Sequence, residues 1–328
     1  MDIGEDIPRR LVSVSLAEVD LEDLWYQVSY GPAPPALAAS LRAVGLINPP
    51  TLQRRQDGRW RVVAGFRRCA LLKEQGATTI SAWCVEEAAP GLVLFLWALC
   101  DNLGVRALNV VECAVALLKL RMQFNVPEAE LSSRYMPLLN LRASRTLLQR
   151  YLSLAALPEP MRQGLAEDRL SQEVALRLVG MSQADASALF AVISQLRLGK
   201  NYQRDLVRLA EDVARRESIS IQEVLSSPEV QGLLGKTDWS PGQKTEKVLA
   251  WMRRRRFPRL AEAERRCHEL MRRLRLPGNV RLSSPANFEG AEWQCQVRFG
   301  SSEELQAAAQ RLQQIGESPT LREMLLLP

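Results

Sequence analysis

The stretch WRVVAGFRRCALLKEQG, residues 60–76, predicts a strand that ends at a glycine and turns directly into a helix. Gly65 lets the backbone turn sharply because it carries no Cβ. The helix that follows opens with Arg67 and Arg68, so its first free N–H groups and two guanidinium groups lie where an anion would bind. The pattern therefore predicts a phosphate-binding turn. The alternative is an ordinary helix whose arginines form a solvated face.

The flanking residues predict the elements around this turn. Residues 37–55 have the pattern of a short amphipathic helix that is closed by a glycine and followed by a strand. Asp57-Gly58 then predicts a hairpin turn into the glycine-ended strand, because Asp-Gly accommodates positive φ. Further along, Asn109 and Glu112 have the spacing of a capping box, which predicts that another helix begins there.

The order of these parts resembles the N-terminal domain of the ParB family of chromosome and plasmid partition proteins. The shared order is helix, Gly-Leu-Ile-Asn-Pro-Pro, strand, Asp-Gly, strand, Gly-Phe-Arg-Arg, helix, and then Asp101-Asn102-Leu103 and the capping box. It covers residues 8–125. The resemblance implies an α+β ParB-type domain over residues 8–108 that binds CTP with Mg²⁺ and closes as a clamp around DNA.

The resemblance also implies the residues of the site. The nucleotide-binding residues would be Asn48, Gly65, Arg67, Arg68 and Asn102. Asp101 and Asn102 would be the metal partners, because Mg²⁺ needs hard oxygen ligands and typically takes one or two carboxylates together with phosphate oxygens.

Two departures from the family pattern bear on catalysis. The family usually has a glutamate, tied to nucleotide hydrolysis, where this chain has Phe66, and a phenyl ring does no acid–base or metal chemistry. The family's later glutamine and arginine are replaced by Gly104 and Val105, with Arg106 one position late. We therefore expect nucleotide binding with at most a weak CTPase activity, and we assign no catalytic residue.

Composition favours a soluble protein with a polyanionic partner. The chain has 328 residues, a net charge of +6 and a pI near 9.2, and a basic balance favours nucleic acid. No apolar run approaches the roughly 18 residues that a membrane helix needs. The first residues do not resemble a signal peptide, so we expect a cytoplasmic, nucleoid-associated protein without a membrane partner.

Residues 109–226 predict an all-α middle domain with a helix-turn-helix-like unit. The second helix of this unit, predicted over residues 142–154, presents side chains that suit the major groove of DNA: Arg142, Ser144, Arg145, Gln149 and Arg150. In the ParB family the corresponding segment is a helix-turn-helix. The predicted turn, residues 136–141, is longer and more apolar than such motifs usually have. An altered or purely structural helical bundle is therefore the alternative.

The C-terminal part predicts a basic linker and a small domain. Residues 227–258 are predicted as the linker, which ends in the one-signed run Arg253, Arg254, Arg255 and Arg256. This run predicts sequence-independent contacts with DNA phosphates, and a solvated face is the alternative. Residues 259–316 predict an αββα domain that buries too little alone, so we expect a homodimer. Its order resembles the C-terminal dimerisation domain of ParB proteins.

Three functional classes follow from these predictions. The leading one is a dimeric, ParB-like DNA-binding protein that acts as a CTP-responsive clamp in segregation or related regulation. The second is a nucleotide-dependent enzyme, a kinase or a nuclease, on the same fold. The third is an adaptor that has lost nucleotide binding. A ParA-type ATPase partner is doubtful, because the sequence lacks the long basic N-terminal tail by which ParB proteins usually engage it.

Overall fold

The computed structural model describes residues 7–285, 288, 290 and 292–327, and it divides into two compact units. The first unit extends to Arg204 and combines a five-stranded sheet with helices. The second unit begins at Asp205, and its described residues form helices and a two-stranded sheet. The protein is therefore of the mixed α+β class, as the sequence predicts.

The sheet of the first unit is mixed. Its strands are β1 (Arg10–Ser15), β2 (Val19–Asp20), β3 (Thr51–Arg54), β4 (Trp60–Ala64) and β5 (Thr79–Val85). Their order across the sheet is β1-β5-β3-β4-β2. Strands β3 and β4 form the antiparallel hairpin predicted at Asp57-Gly58, with Gln53 opposite Arg61. Strand β5 lies between β1 and β3 and runs parallel to β3, so β5 follows β4 along the chain but pairs with the other strand of the hairpin.

The helices of the first unit lie between and after these strands along the chain. They are α1 (Pro35–Val44), α2 (Phe66–Glu74), α3 (Gly91–Leu103), α4 (Val110–Met122), α5 (Glu128–Glu130), a π-helical turn (Leu131–Tyr135), α6 (Met136–Leu138), α7 (Arg145–Ala155), α8 (Glu159–Ala166), α9 (Gln172–Val179), α10 (Gln183–Leu196) and the first residues of α11 (Lys200–Glu217). Helix α3 packs against β4, and Leu94, Phe95 and Leu99 are buried there together with Leu52 and Val62 of the sheet.

Local sequence signals fix several of these boundaries. Helix α1 ends at Gly45, whose φ of 74° lies in the left-handed region that favours glycine. The predicted capping box is confirmed: the Asn109 side chain accepts a hydrogen bond from the Glu112 backbone N–H, and the Glu112 side chain accepts one from the Asn109 backbone N–H. The predicted elements from α1 to α2 are all present.

The helix-turn-helix-like region differs from the prediction in its turn. The first helical segment continues through the π-helical turn and α6, because Pro137 lies in the first turn of α6, where a missing N–H is tolerated. The chain then turns over residues 139–144, with Asn140 at a φ of 57°. Arg142 consequently lies in the turn and not on α7, and Ser144 is the N-cap whose Oγ accepts a hydrogen bond from the Leu147 backbone N–H.

The second unit contains the C-terminal elements. They are the remainder of α11, then α12 (Ile221–Leu225), α13 (Pro228–Leu234), α14 (Pro241–Arg256), α15 (Pro258–Leu274), β6 (Val280–Ser283), β7 (Gln294–Val297), α16 (Ser302–Gly316) and α17 (Pro319–Leu325). The order α15-β6-β7-α16 is the predicted αββα layout. Helix α17 was not predicted, and its Met324 packs into the same apolar cluster as Leu270 and Ile315.

The predicted basic linker requires a correction. Residues 227–258 contain α13 and α14, and α14 buries Val248, Leu249 and Met252 on one side. The Ser240-Pro241-Gly242 stretch predicted a linker, but Ser240 is the N-cap of α14 and Pro241 is its first residue, and the basic run occupies the last turn of this helix. Cations in the last turn of a helix also interact favourably with the helix dipole.

Candidate functional site

A cleft of about 280 Å³ lies at the turn between β4 and α2. It brings together residues from α1, the segment after α1, the C-terminal end of α3 and the loop before α4. The lining residues include Leu37, Asn48, Gly65, Phe66, Arg67, Arg68, Asp101, Asn102, Val105 and Arg106. All the nucleotide-binding and metal-binding residues predicted from the sequence therefore border one cleft.

Gly65 is required at this turn for two reasons. Its φ is +96°, in the left-handed region, and a Cβ built there would lie 2.9 Å from the Pro50 Cβ and 3.0 Å from two nitrogen atoms of Arg68. Gly65 is also the N-cap of α2, and no side chain caps this helix. The first backbone N–H groups of α2 are thus left to a ligand, with the positive end of the helix dipole behind them.

Arg68 crosses the mouth of the cleft between two elements. Its Nη1 donates to the Asn48 carbonyl oxygen at 2.6 Å, and its Nη2 lies 3.0 Å from the Asp101 Oδ2. Asn48 therefore contributes its backbone carbonyl and Asp101 its carboxylate. Both contacts hold the guanidinium beside Gly65.

Arg67 and Arg106 meet at a buried carboxylate. The Glu112 side chain is fully buried and accepts hydrogen bonds from both terminal nitrogens of Arg106, at 2.6 and 2.7 Å. It also accepts from the backbone N–H groups of Tyr30 and Asn109, each at 2.9 Å. Burial raises the pKa of Glu112, but the hydrogen bonds from Arg106 and the two amides outweigh it, so the net pKa is lowered. Glu112 is thus an anchor for Arg106 and has little capacity left for other chemistry.

Arg67 is a largely buried cation of the cleft. Its Nη2 donates to the Tyr30 carbonyl oxygen at 2.7 Å and lies 3.8 Å from a Glu112 oxygen. Its Nε is buried without a hydrogen-bond partner among the described residues. Burial, and then the neighbouring Arg106, lower the pKa of Arg67. An anion in the cleft would relieve both effects, because it supplies a hydrogen-bond acceptor and a negative charge.

Tyr30 links the cleft to the helices. Its backbone N–H and carbonyl are bound by Glu112 and Arg67, and its hydroxyl donates to the Glu159 Oε1 at 2.5 Å. Burial, and then the Glu159 carboxylate, raise the pKa of Tyr30. Glu159 opens α8 and also pairs with Arg162 at 2.5 Å. The sequence pattern did not identify Tyr30, because its contacts join residues 82 and 129 positions apart.

The predicted metal partners form a sparse site. Asp101 is about half exposed and pairs with Arg68, while the Asn102 amide nitrogen donates to the Ala98 carbonyl oxygen at 2.8 Å. The described residues contain no cluster of three or more His, Cys, Asp or Glu side chains that could hold a metal ion. The Asp101 carboxylate and the Asn102 amide oxygen could complete a Mg²⁺ shell only together with other oxygens, such as those of a phosphate.

The residues predicted to read DNA lie around α7. Arg145, Gln149 and Arg150 are exposed and border a groove between α7 and α9 of about 1060 Å³. Arg142 is exposed in the preceding turn, and Ser144 is engaged as the N-cap of α7. Three of the five predicted residues therefore share one surface.

The basic run of α14 is only partly free. Arg255 forms two hydrogen bonds with Glu217, at 2.9 and 2.6 Å, and Arg256 pairs with Asp212 at 2.9 Å. Arg253 and Arg254 are exposed.

Within the described part of the chain, every helix is too short or too polar to span a bilayer.

The fold and the cleft define a protein with a candidate anion site at a glycine turn of a mixed sheet. Comparison with known proteins identifies relatives of this chain. No protein-family model matches the chain. Probable chromosome-partitioning proteins ParB are 28% identical over 147 residues in Pseudomonas putida and 27% identical over 192 residues in Neisseria meningitidis. A nucleoid occlusion protein of Halalkalibacterium halodurans is 27% identical over 178 residues.

These matches are partial in length. They cover 45%, 58% and 54% of this chain and 48%, 61% and 60% of the respective relatives. The chain thus spans about half to three fifths of the length of the relatives that it matches. Over that length it is ParB-like, which confirms the resemblance stated from the sequence motifs.

Two solved structures of C-terminally truncated ParB from Caulobacter crescentus also align with part of this chain. The form complexed with CTP-γ-S is 18% identical, with a TM-score of 0.25, and the alignment covers 54% of this chain and 97% of that one. The form complexed with the centromeric parS site is 18% identical, with a TM-score of 0.33, and the alignment covers 60% and 98%.

Proposed function

We propose that this chain is a dimeric, nucleoid-associated DNA-binding protein of ParB type whose cleft at Gly65 binds CTP as a conformational ligand. Its role would be in DNA segregation or related regulation. The observation that carries the proposal is the cleft itself: an uncapped helix N-terminus and the cations Arg67, Arg68 and Arg106 converge at one glycine turn, in a chain that is ParB-like in sequence.

The residues of the cleft fit a nucleoside triphosphate. Asp101 is the only carboxylate among the described lining residues, so the lining carries a net positive charge. The guanidinium groups of Arg67 and Arg68 can make charge-assisted hydrogen bonds to phosphate oxygens, and the α2 N–H groups can add neutral ones. A bound Mg²⁺ would neutralise part of the phosphate charge, and Asp101 and Asn102 are the residues that would hold it.

The same residues argue for binding without efficient turnover. Phe66 is buried and occupies the position of the family's hydrolytic glutamate. Glu112 is fully engaged with Arg106 and two backbone amides, and Asp101 is paired with Arg68. A general base must be free to accept a proton within hydrogen-bond reach of the nucleophile. We therefore favour a ligand-binding role over a kinase or nuclease.

DNA binding is proposed for α7 and α14. Arg145, Gln149 and Arg150 on α7 would reach base edges, and Arg253 and Arg254 on α14 would contact phosphates. A homodimer through residues 259–316 would bring two such chains together. Once one chain is bound to DNA, the effective concentration of the second chain's DNA-binding helices near that DNA is then raised.

One titration separates the three functional classes. The full-length protein is titrated with CTP, and separately with ATP, GTP and UTP, in the presence of Mg²⁺, by calorimetry. The CTP titration is repeated with a random-sequence DNA duplex. We expect binding selective for CTP, a change in DNA affinity on CTP addition, and little phosphate release.

Each other outcome points to a different class. Rapid phosphate release would support the enzyme. No binding of any nucleotide at millimolar concentration, with no DNA binding, would support the adaptor. Light scattering on the same sample should report twice the chain mass of 36.8 kDa, and a monomer at micromolar concentration would contradict the dimeric clamp.

A further inference from the structure

Glu128, the first residue of α5, contacts the outward face of α7. Its Oε2 accepts a hydrogen bond from the Gln149 Nε2 at 3.0 Å, and its Oε1 lies 3.2 Å from Arg121. Arg145 is more distant, with its Nε 3.9 Å from the carboxylate, and its side chain is 86% exposed. Glu128 therefore holds Gln149 closely and leaves Arg145 largely free.

The chemistry of the carboxylate fixes the orientation of the Gln149 amide. An ionised carboxylate only accepts hydrogen bonds, so the NH₂ end of the amide must face Glu128. The carbonyl oxygen of Gln149 then faces the other way, on an exposed side chain that borders the groove between α7 and α9. Arg121 adds a second contact to Glu128, which restrains the carboxylate and the amide with it.

We propose that Glu128 determines which bases Gln149 can read, by holding its carbonyl oxygen toward the DNA. The inference rests on the proposed DNA-binding function of α7. An outward carbonyl needs a hydrogen-bond donor on the base. In the major groove only adenine, through its N6 amino group, and cytosine, through its N4 amino group, supply one.

Adenine is the better partner of the two. The Gln149 amide has two N–H groups, and Glu128 uses one, so the other can donate to adenine N7 while the carbonyl accepts from N6. Guanine and thymine present only acceptors at this edge, apart from the thymine methyl group. An amide released from Glu128 could rotate by half a turn and donate to those acceptors, and the discrimination would be lost.

The carboxylate also carries a charge near the DNA. An acidic group close to the phosphates repels them, so Glu128 lowers affinity for every sequence while it sharpens the choice of base. Removal of its charge should therefore strengthen binding to random DNA. The chain offers a matched control: Glu130 lies on the same short helix, pairs with Arg134 at 2.8 Å and has no described contact with α7.

The test is a selection from random DNA duplexes with full-length protein. The variants are Glu128→Gln, Glu128→Ala, Gln149→Ala and the control Glu130→Gln. Gln149→Ala identifies the position that Gln149 reads, as the one position whose preference disappears. We expect wild-type protein to select adenine, or else cytosine, at that position. Both Glu128 variants should lose about tenfold discrimination there, and should bind random duplexes more tightly. Glu130→Gln should keep the wild-type discrimination.

The outcomes separate this inference from the proposed function. No DNA binding by the wild-type protein would overturn both. Sequence-selective binding with guanine or thymine at the Gln149 position would overturn only the role of Glu128. The role of Glu128 would also be overturned if Gln149→Ala erases no base preference. It would be overturned equally if Glu128→Gln selects the same sequences as Glu130→Gln with equal discrimination. Glu128→Gln has nearly the shape of the original side chain, so its result stands even if Glu128→Ala does not fold.

Discussion

Substitution of Gly65 by alanine tests the geometry of the cleft most directly. The residue has a φ of +96°, and left-handed backbone costs a residue with a Cβ about 1–2 kcal/mol. The new Cβ would also lie 2.9 Å from the Pro50 Cβ and 3.0 Å from the Arg68 guanidinium, so one of these neighbours must move. Arg68 is the more flexible neighbour, and its displacement would take a cation from the cleft. Gly65→Ala should therefore lower both the free energy of unfolding and the affinity for CTP.

Gly58→Ala is the matched control for this effect. Gly58 lies in the hairpin turn with a φ of +80°, and a Cβ there would have no neighbour within 4 Å. Urea unfolding should therefore show a loss of about 1–2 kcal/mol for Gly58→Ala and at least that for Gly65→Ala. In calorimetry, CTP affinity should fall at least about tenfold for Gly65→Ala only, which corresponds to about 1.4 kcal/mol. Equal CTP affinities for the two variants would refute the placement of the nucleotide at this turn.

Three further predictions concern charged side chains. Arg68→Ala should weaken CTP binding at least about tenfold, because a charge-assisted hydrogen bond is lost; calorimetry that finds unchanged affinity would remove Arg68 from the site. Arg145→Ala should erode sequence preference, whereas loss of Arg253 and Arg254 should weaken binding to all DNA alike and reduce the salt slope by about two; equal losses on every duplex for Arg145→Ala would exclude it from base reading. Burial lowers the pKa of Lys119 to about 8 from 10.5. Between those pH values the unfolded chain binds the extra proton, so urea titrations should show wild-type stability rising relative to Lys119→Met from pH 8 to 10; a constant difference would contradict the shift.

The elements of the N-terminal domain were predictable where the signals are local. Gly45, the Asp57-Gly58 turn and Gly65 each specify a backbone turn by themselves, and the capping box at Asn109 specifies a helix start. The predicted cleft residues also came together as expected, because the turn and the end of α3 lie beside the same strand.

The contacts that shape the cleft were not predictable, because they depend on pairings distant in sequence. Glu112 was recognised as a helix cap, but its bond to Arg106 and to the Tyr30 amide depends on the tertiary fold. Residues 227–258 suggested a linker because Gly235 and the Ser240-Pro241-Gly242 stretch are typical of turns, although Ser240 caps α14 and Pro241 begins it. The turn at Asn140 was misplaced because Pro137, usually a helix breaker, sits where a helix accepts it.

Tyr30 connects the cleft to α8 through two hydrogen bonds. Its carbonyl is held by Arg67, and its hydroxyl is held by Glu159 at the start of α8. A ligand that draws the Arg67 guanidinium toward itself competes with the Tyr30 carbonyl, and a change at Glu159 alters the restraint on the same residue. Coupling between two binding events is reciprocal, so each event must change the affinity of the other by the same factor. A ligand bound by α8 or its neighbours should therefore change the affinity of the cleft for its own ligand. Occupation of the cleft should change the affinity of that other site by the same factor.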